Sequence, residues 1–208
     1  MAAERLNFNM ALSNAFRKPL LPFVNDILEF CKKGEITLRN YQCEVAQAIC
    51  ESVFFASGFT FVVMFPRQSG KNELQAQLEA FILSRYRFAG GELVKISPTW
   101  KPQSQNAQRR LERVLSSHPL TAREWHKEQG YIYRIGNARQ IFLSGSPEAN
   151  IVGATASLLL QVDEAQDVGI EKFDKEIAPM AASTNATRVF WGTAWSDDTL
   201  LARELQAA

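Results

Sequence analysis

Two apolar runs, each followed by a polar turn, dominate the pattern of the chain. Residues 59–65 form a continuous apolar run rich in β-branched and aromatic side chains, which predicts a strand buried on both faces. After a turn over residues 66–70, apolar residues recur at 74, 78, 81 and 82, a spacing that predicts a helix over 71–83. A second apolar run, residues 157–162, predicts another buried strand and ends in two adjacent carboxylates.

The rest of the chain alternates between helical and strand-like patterns. Helical spacing predicts helices over 22–31, 41–54, 103–116, 168–181 and 199–206, and short apolar or alternating runs predict strands over 93–97, 131–135, 139–143 and 187–193. Strands that alternate with helices indicate an α/β fold with a mostly parallel sheet and helices on both faces. A ligand is then expected at the carboxyl ends of the strands. We divide the chain into an N-terminal helical appendage, residues 1–35, and a core, residues 36–208.

The composition is typical of a single globular domain and argues against a disulfide framework, a zinc site or a membrane span. The chain has 208 residues, a net charge of +1 and 46% hydrophobic residues, as expected for one globular domain with a full core. The near-neutral charge means that any nucleic-acid contact must come from a local patch. Three cysteines without a CxxC pair make a disulfide framework or a zinc site an unfavoured interpretation and fit a reducing compartment. No apolar run reaches the length of a membrane span.

The turn between the first strand and its helix has the chemistry of a phosphate cradle. Ser69, Gly70 and Lys71 place a glycine and a lysine at a helix N-terminus, where backbone N–H groups and the helix dipole favour an anion. The match to the usual pattern G-x-x-x-x-G-K-[ST] is imperfect, because Phe65 stands at the first glycine and Asn72 at the hydroxyl position. A plain surface turn before an amphipathic helix is the alternative.

The acidic pair at the end of the second strand supplies the other half of phosphoryl-transfer chemistry. Asp163 and Glu164 are adjacent, so their side chains diverge at the strand end. One carboxylate can then serve a magnesium ion while the other orients an attacking water. The alternative is a strand that stops at a solvated acidic turn.

Three motifs in this order resemble the ATPase domain of tailed-bacteriophage large terminase subunits. They are Arg67-Gln68-Ser69-Gly70-Lys71-Asn72-Glu73, then Asp163-Glu164-Ala165-Gln166, then Phe190-Trp191-Gly192-Thr193-Ala194. The resemblance runs from about Leu38 to the end of the chain. It implies a P-loop NTPase fold of the ASCE or RecA-like type.

The resemblance also implies site residues. Glu164, Arg67 and Lys71 would be catalytic, and Asp163, with Asn72 beside it, would hold Mg²⁺. The coupling motif would comprise Gly192, Thr193 and Ala194. Nucleotide-binding residues would be Gln42, Tyr41, Arg67, Gln68, Ser69, Gly70, Lys71, Asn72 and Glu73, with Gln42 on the adenine edge and Tyr41 stacked on the base; an ordinary helix start is the alternative for Tyr41 and Gln42.

Arginines elsewhere in the chain are candidates for two further roles. Arg109, Arg110 and Arg113 lie on a predicted polar helix and could form a DNA-facing patch, although a solvated helix face is the blander interpretation. Arg134 and Arg139 are candidates for an arginine finger supplied by a neighbouring subunit.

The function implied by the resemblance is Mg²⁺-dependent ATP hydrolysis that drives double-stranded viral DNA into a prohead. Its partners would be the portal protein and the terminase small subunit. The chain would assemble into a homo-oligomeric ring, with a monomer as the alternative for the isolated chain. It would work in the host cytoplasm, away from membranes. The C-terminal nuclease domain of large terminases is expected to be absent from this chain. The alternatives are the first motor domain of a superfamily-2-like helicase and a nucleotide-dependent binding module that hydrolyses nothing.

Overall fold

The computed structural model describes residues 26–151, 153–193 and 196–207. Seven strands form one sheet with the order β1-β7-β6-β2-β5-β4-β3. The strands are β1 Thr60–Met64, β2 Gly91–Ser97, β3 Trp125–Glu128, β4 Ile132–Ile135, β5 Ala138–Ser144, β6 Leu159–Val162 and β7 Thr187–Gly192. The pairs β1–β7, β7–β6, β6–β2 and β2–β5 are parallel, whereas β5–β4 and β4–β3 are antiparallel. The predicted mostly parallel α/β fold is confirmed.

Among the described residues, five helices of eight or more residues and several shorter helical segments pack around this sheet. The helices are α1 Asp26–Lys33, α2 Asn40–Phe54, α3 Lys71–Arg85, α4 Gln105–Ser117 and α5 Leu200–Ala207. A kinked helical turn, Trp100–Ser104, leads into α4, and a 3₁₀ turn, Ala165–Asp167, follows β6. No helix among the described residues is long and apolar enough to cross a membrane.

Alternate residues of each central strand pack into separate cores on the two faces of the sheet. Leu93 of β2 belongs to the core beneath α1–α4, whereas Val94 and Ile96 belong to the core on the opposite face. The first core is closed by α3, whose residues from Leu74 to Leu83 are all buried. The second is covered by the segment that follows β6 and by α5.

Strand β1 differs from its prediction. It lies at the edge of the sheet and is only half-buried, with Phe59 just before it 60% exposed and Met64 at its end 43% exposed. The expectation of burial on both faces was wrong, because an apolar run reports how hydrophobic a strand is and not how many strands flank it. The strand still delivers the following turn to the carboxyl end of the sheet.

Three other predictions need correction or lie partly outside the described chain. The single helix expected over 168–181 is three short helical segments, Ile170–Lys172, Phe173–Ile177 and Pro179–Ala182. Strand β3 was missed because Trp125–Glu128 is mostly polar. Of the predicted appendage, residues 1–25 lie outside the described residues, and α1 packs against α2 and α3. The division at residue 35 stays a prediction.

Candidate active site

The turn between β1 and α3 is held in one conformation by contacts from α2. Tyr41 donates its hydroxyl hydrogen to the carbonyl of Ser69 at 2.7 Å, and the Gln42 carboxamide donates to the carbonyls of Ser69 and Gly70 at 3.2 and 3.3 Å. The same Gln42 side chain accepts from the backbone N–H of Arg39 at 2.9 Å. Both ends of the Gln42 carboxamide are therefore engaged within the protein, and its contact with adenine stays a prediction.

Glycine is required at position 70 for two separate reasons. Gly70 begins α3 with φ of 84°, in the left-handed region that side chains disfavour. A Cβ at this position would stand 2.6 Å from the Gln42 amide nitrogen. The chain thus brings its backbone close to α2 while presenting the N-terminus of α3 to the cleft. Gln68 is also left-handed, with φ of 62°, and its side chain is exposed.

Lys71 lies between the two carboxylates that follow β6. Its ammonium nitrogen is 2.5 Å from Oε1 of Glu164 and 3.4 Å from Oδ1 of Asp163. Lys71 and Asp163 are buried, whereas the Glu164 side chain is 27% exposed. The strand order explains this meeting, since β1, β7 and β6 are neighbours and their carboxyl ends lie at the same edge of the sheet.

The electrostatics of the site keep Asp163 ionised. Burial by itself would raise the pKa of the Asp163 carboxyl, but the charges of Lys95 and Lys71 and a hydrogen bond from Gln75 outweigh it, and the pKa is lowered. The Asp163 carboxyl is therefore charged at neutral pH, as its predicted role at a metal requires. Glu164 adopts a left-handed backbone conformation with φ of 45°, which turns the chain sharply after the strand.

A cleft opens beside these residues. It consists of two adjoining cavities of about 320 and 350 Å³, which share Arg67, Asn72, Glu164 and Thr193 in their walls. Asp163 lines the first and the turn 65–71 lines the second. The buried hydroxyl of Ser69 has no hydrogen-bond partner among the described residues. A cleft with a free donor, a helix N-terminus and a buried ammonium fits a polyphosphate.

The oxygen ligands at the cleft also fit magnesium. Mg²⁺ keeps several waters and needs only one or two carboxylates besides the substrate phosphates. Asp163, Glu164 and the exposed carboxamide of Asn72 meet in the wall of the first cavity. The described residues contain no cluster of three or more His, Cys, Asp or Glu side chains suited to a metal.

Two residues of the predicted coupling motif, Gly192 and Thr193, contact Gln166, which lines the same cleft. The Gln166 amide donates to Oε2 of Glu164 at 2.8 Å, and its Oε1 accepts from the backbone N–H of Thr193 at 3.3 Å. Gly192 leaves room for this contact, because a Cβ there would stand 2.5 Å from Gln166 Oε1. Ala194 lies outside the described residues. The sequence carried Gln166 within the acidic motif, but no role was predicted for it.

Several of the predicted charged residues are paired with other side chains, although Glu73 and Arg110 also line the second cavity. Glu73 forms ion pairs with Arg110 and Arg113 of α4, so two of the three arginines predicted for DNA contact are engaged. Arg109 is exposed. The two candidate finger arginines are bound elsewhere, Arg134 to Glu128 and Arg139 to Glu92.

Comparison with known proteins identifies the architecture. No protein-family model and no curated protein matches the sequence. Among solved structures, the large terminase of bacteriophage HK97 superposes with a TM-score of 0.64 and 17% identity, covering 83% of this chain. The large terminase ATPase domain of Thermus phage P74-26 superposes with a TM-score of 0.59 and 19% identity over 81% of this chain. The chain shares the fold of the large terminase ATPase domain.

This chain covers only part of the length of the terminases that it resembles in fold. This chain spans 37% of the HK97 large terminase and 69% of the P74-26 ATPase domain. The large terminase of a thermophilic bacteriophage, solved in complex with ADP, superposes with a TM-score of 0.56 and 16% identity over 74% of this chain and 39% of its own. At these identities the shared property is the fold.

Proposed function

We propose that this chain is a Mg²⁺-dependent ATPase that works as the motor part of a phage DNA-packaging terminase. The observation that carries the proposal is the meeting of Lys71, Asp163 and Glu164 at the cleft beside the turn 66–70. A lysine at the start of the helix after β1 meets two carboxylates at the end of β6, with β7 between these two parallel strands, and this combination matches the parts that phosphoryl transfer requires. The shared fold supports the same reaction, and one of the similar terminases was solved with ADP.

The first step is capture of the nucleotide phosphates. The start of α3 and Ser69 line the cleft, where backbone N–H groups can bind the phosphates, and Lys71 supplies the point charge for the β- and γ-phosphates. Glu164 holds Lys71 at 2.5 Å in this structure, so phosphate binding has to exchange that partner for phosphate oxygens. The exchange frees the Glu164 carboxylate for its second task.

The second step is orientation of the attacking water. Glu164 is partly exposed to the cleft and is held on its other oxygen by Gln166, an arrangement suited to accepting a hydrogen bond from a water in line with the γ-phosphate. Arg67 is exposed and lines both cavities, where its guanidinium can approach charge that develops on the γ-phosphate. Asp163 and Asn72 would hold Mg²⁺, which when bound neutralises phosphate charge.

The third step is transmission of the nucleotide state. Thr193 bonds through its backbone to Gln166, and Gln166 bonds to Glu164, so a change at Glu164 reaches the end of β7. We assign Gly192 and Thr193 to coupling on this basis. The work coupled to hydrolysis is translocation of double-stranded DNA into a prohead by a ring of subunits at a portal, with the small subunit as partner, in the host cytoplasm.

Phosphate release by the purified chain tests the proposal. The wild type is expected to release inorganic phosphate from ATP only when Mg²⁺ is present. Lys71→Ala is expected to bind ATP more weakly and to show no turnover, because the phosphates lose their main point charge. If the wild type binds the nucleotide but releases no phosphate, either with or without linear duplex DNA, the result would instead favour a binding module.

A further inference from the structure

A line of buried polar side chains runs from the active site into the first core, beneath α3. Gln75 and Glu79 lie one turn apart on α3, and both are fully buried. They face Lys95 of β2 and Gln161 of β6, which are paired in the parallel register of these strands. Buried charges and amides are costly unless each finds a partner, so their presence here requires an explanation.

Every member of this line is connected by a short hydrogen bond. The Lys95 ammonium donates to Oε1 of Gln75 at 2.8 Å and to Oε1 of Glu79 at 2.9 Å. The Gln75 amide donates to Oδ1 of Asp163 at 2.9 Å. At the other end, Gln161 donates to Oε1 of Glu79 at 2.8 Å and accepts from Trp191 at 2.9 Å. We call these residues the Lys95 network; they are Gln75, Glu79, Lys95, Gln161 and Trp191.

Lys95 determines which way the Gln75 carboxamide points. An ammonium group has only donors, and an ionised carboxylate has only acceptors. With Lys95 on one side and Asp163 on the other, the Gln75 oxygen has to face Lys95 and its NH₂ has to face Asp163. The reverse orientation would place donors against the ammonium and an acceptor against the carboxylate. Glu79 is the ion-pair partner of Lys95 in this core, with its Oε1 2.9 Å from the Lys95 nitrogen; burial raises the pKa of the Glu79 carboxyl and the charge of Lys95 opposes that rise.

The network reaches Asp163 through one oxygen. Gln75 and Lys71 both contact Oδ1 of Asp163, at 2.9 and 3.4 Å. One hydrogen bond and one ion pair on the same oxygen orient the carboxyl group and therefore its other oxygen. Hydrogen bonds to a ligating carboxylate from outside the coordination sphere are a known means of orienting it toward a metal.

We propose that Lys95 is a positioning residue for the magnesium site, which it controls by holding the Gln75 amide against Asp163. This inference rests on the proposed function, since it assigns the second layer of the same site. The pKa of the Asp163 carboxyl is consistent with it, because burial raises that pKa and the charge of Lys95 is the strongest influence that lowers it.

Two variants interrupt the network without leaving a lone buried charge. Gln75→Leu removes the amide and changes no charge. Lys95→Met combined with Glu79→Gln removes both members of the ion pair and keeps an acceptor for Gln161, because a buried pair is better replaced as a pair than broken. The matched control is Gln140→Leu, a fully buried glutamine on the same face of the sheet whose amide donates to the carbonyl of Ile141.

The measurement is the affinity for a fluorescent, non-hydrolysable ATP analogue, first without metal and then at increasing magnesium concentrations. A thermal unfolding curve first confirms that each variant is folded. Both network variants are expected to raise the half-saturating magnesium concentration by about tenfold or more, the usual effect of losing such a partner. Their metal-free affinity for the analogue is expected to match that of the wild type, as is the magnesium dependence of Gln140→Leu.

The outcomes separate the inference from the proposed function. Unchanged magnesium dependence in Gln75→Leu overturns the inference while the wild type still binds magnesium and nucleotide together. A raised requirement in Gln75→Leu but not in the double variant overturns the role of Lys95. If the double variant does not fold, Lys95→Leu combined with Glu79→Gln takes its place, and an unchanged magnesium requirement in that variant likewise overturns the role of Lys95. A wild type without any magnesium-dependent nucleotide binding overturns the proposed function and the inference with it.

Discussion

Gln166 donates a hydrogen bond to Oε2 of Glu164 at 2.8 Å, and this bond fixes the glutamate from the side opposite Lys71. Lys71 occupies the other carboxylate oxygen, so Glu164 is held at both ends. Because Gln166 also accepts from the backbone of Thr193, one side chain connects the proposed catalytic residue with the proposed coupling residue.

Removal of Gln166 should therefore impair chemistry more than binding. Gln166→Ala is expected to lower kcat by about tenfold to a hundredfold, the usual range for a residue that orients a functional group, with a much smaller change in KM. Steady-state phosphate release across ATP concentrations provides both constants. Gln206→Ala, an exposed glutamine on α5, is the control. A raised KM with undiminished kcat would contradict an orienting role.

Asn72 stands where the usual phosphate-loop pattern has a hydroxyl residue, and it is exposed and lines both cavities. A carboxamide oxygen is a hard ligand of the kind magnesium accepts. Asn72→Thr is expected to stay active, whereas Asn72→Leu is expected to need a higher magnesium concentration for half-maximal turnover. The check is the rate of phosphate release as a function of magnesium at saturating ATP. Identical magnesium curves for Asn72→Leu and wild type would remove Asn72 from the site.

Arg67 lies in the turn itself and needs no partner to reach the cleft. An arginine finger contributes about 10³–10⁵-fold to phosphoryl transfer, so Arg67→Ala should lower kcat far more than it raises KM. Arg123→Ala, another exposed arginine, serves as the control. Undiminished turnover in Arg67→Ala would exclude the assignment.

The same assay tests whether a neighbouring subunit supplies a further arginine. The isolated chain is expected to hydrolyse ATP slowly, with specific activity that rises with protein concentration and on assembly around a portal and DNA. High specific activity at every concentration would argue against a finger from a second subunit.

His118 makes the attachment of α1 sensitive to acid. Its ring stacks on Phe30 with centroids 3.7 Å apart, Nδ1 accepts from the backbone N–H of Leu120, and Nε2 lies 2.8 Å from the carbonyl of Phe30. Since Nδ1 accepts, Nε2 carries the hydrogen and the ring is neutral. Burial, with a smaller contribution from Lys33, lowers the pKa of His118 from its ordinary value near 6.5, although the Phe30 carbonyl opposes the shift.

Acid is expected to lower the stability of the folded state. The unfolded state has the higher histidine pKa, so it takes up protons first as the pH falls below about 6.5, and the folded state loses stability there. The Tm of the wild type is expected to fall more between pH 7.5 and 5.5 than that of His118→Gln. Equal falls in the two proteins would contradict this account of His118.

The local sequence pattern was sufficient to predict most elements of the fold, because the spacing of apolar residues and the residue types of turns depend only on neighbouring residues. It located the strand, glycine turn and helix around Lys71 and the acidic end of β6. It could not give the position of β1 at the sheet edge, because strand order depends on pairing between distant segments. The helical stretch after β6 is broken into short segments, although its apolar spacing predicts one helix.

The buried polar residues of the site are the part that local pattern missed. Gln75 and Glu79 fit the polar positions of an amphipathic helix, and only the fold reveals that α3 is buried on nearly all sides. The position of Lys95 could have been noticed in the sequence, because it is a charged residue between the apolar residues Val94 and Ile96 of a predicted central strand. Gln42 and Tyr41 were predicted to bind adenine, which stays a prediction; the contacts that they make in the structure are with a backbone carbonyl of the turn.

The most direct test of the central claim compares ATP binding and phosphate release by Glu164→Gln and wild type. An amide cannot accept a proton and polarises water poorly, so Glu164→Gln is expected to hydrolyse ATP about 10²–10⁴-fold more slowly. Binding is expected to persist and to strengthen, because Lys71 no longer faces a competing carboxylate at 2.5 Å. Bound ATP that stays intact on Glu164→Gln is the predicted result; hydrolysis at the wild-type rate would contradict the account.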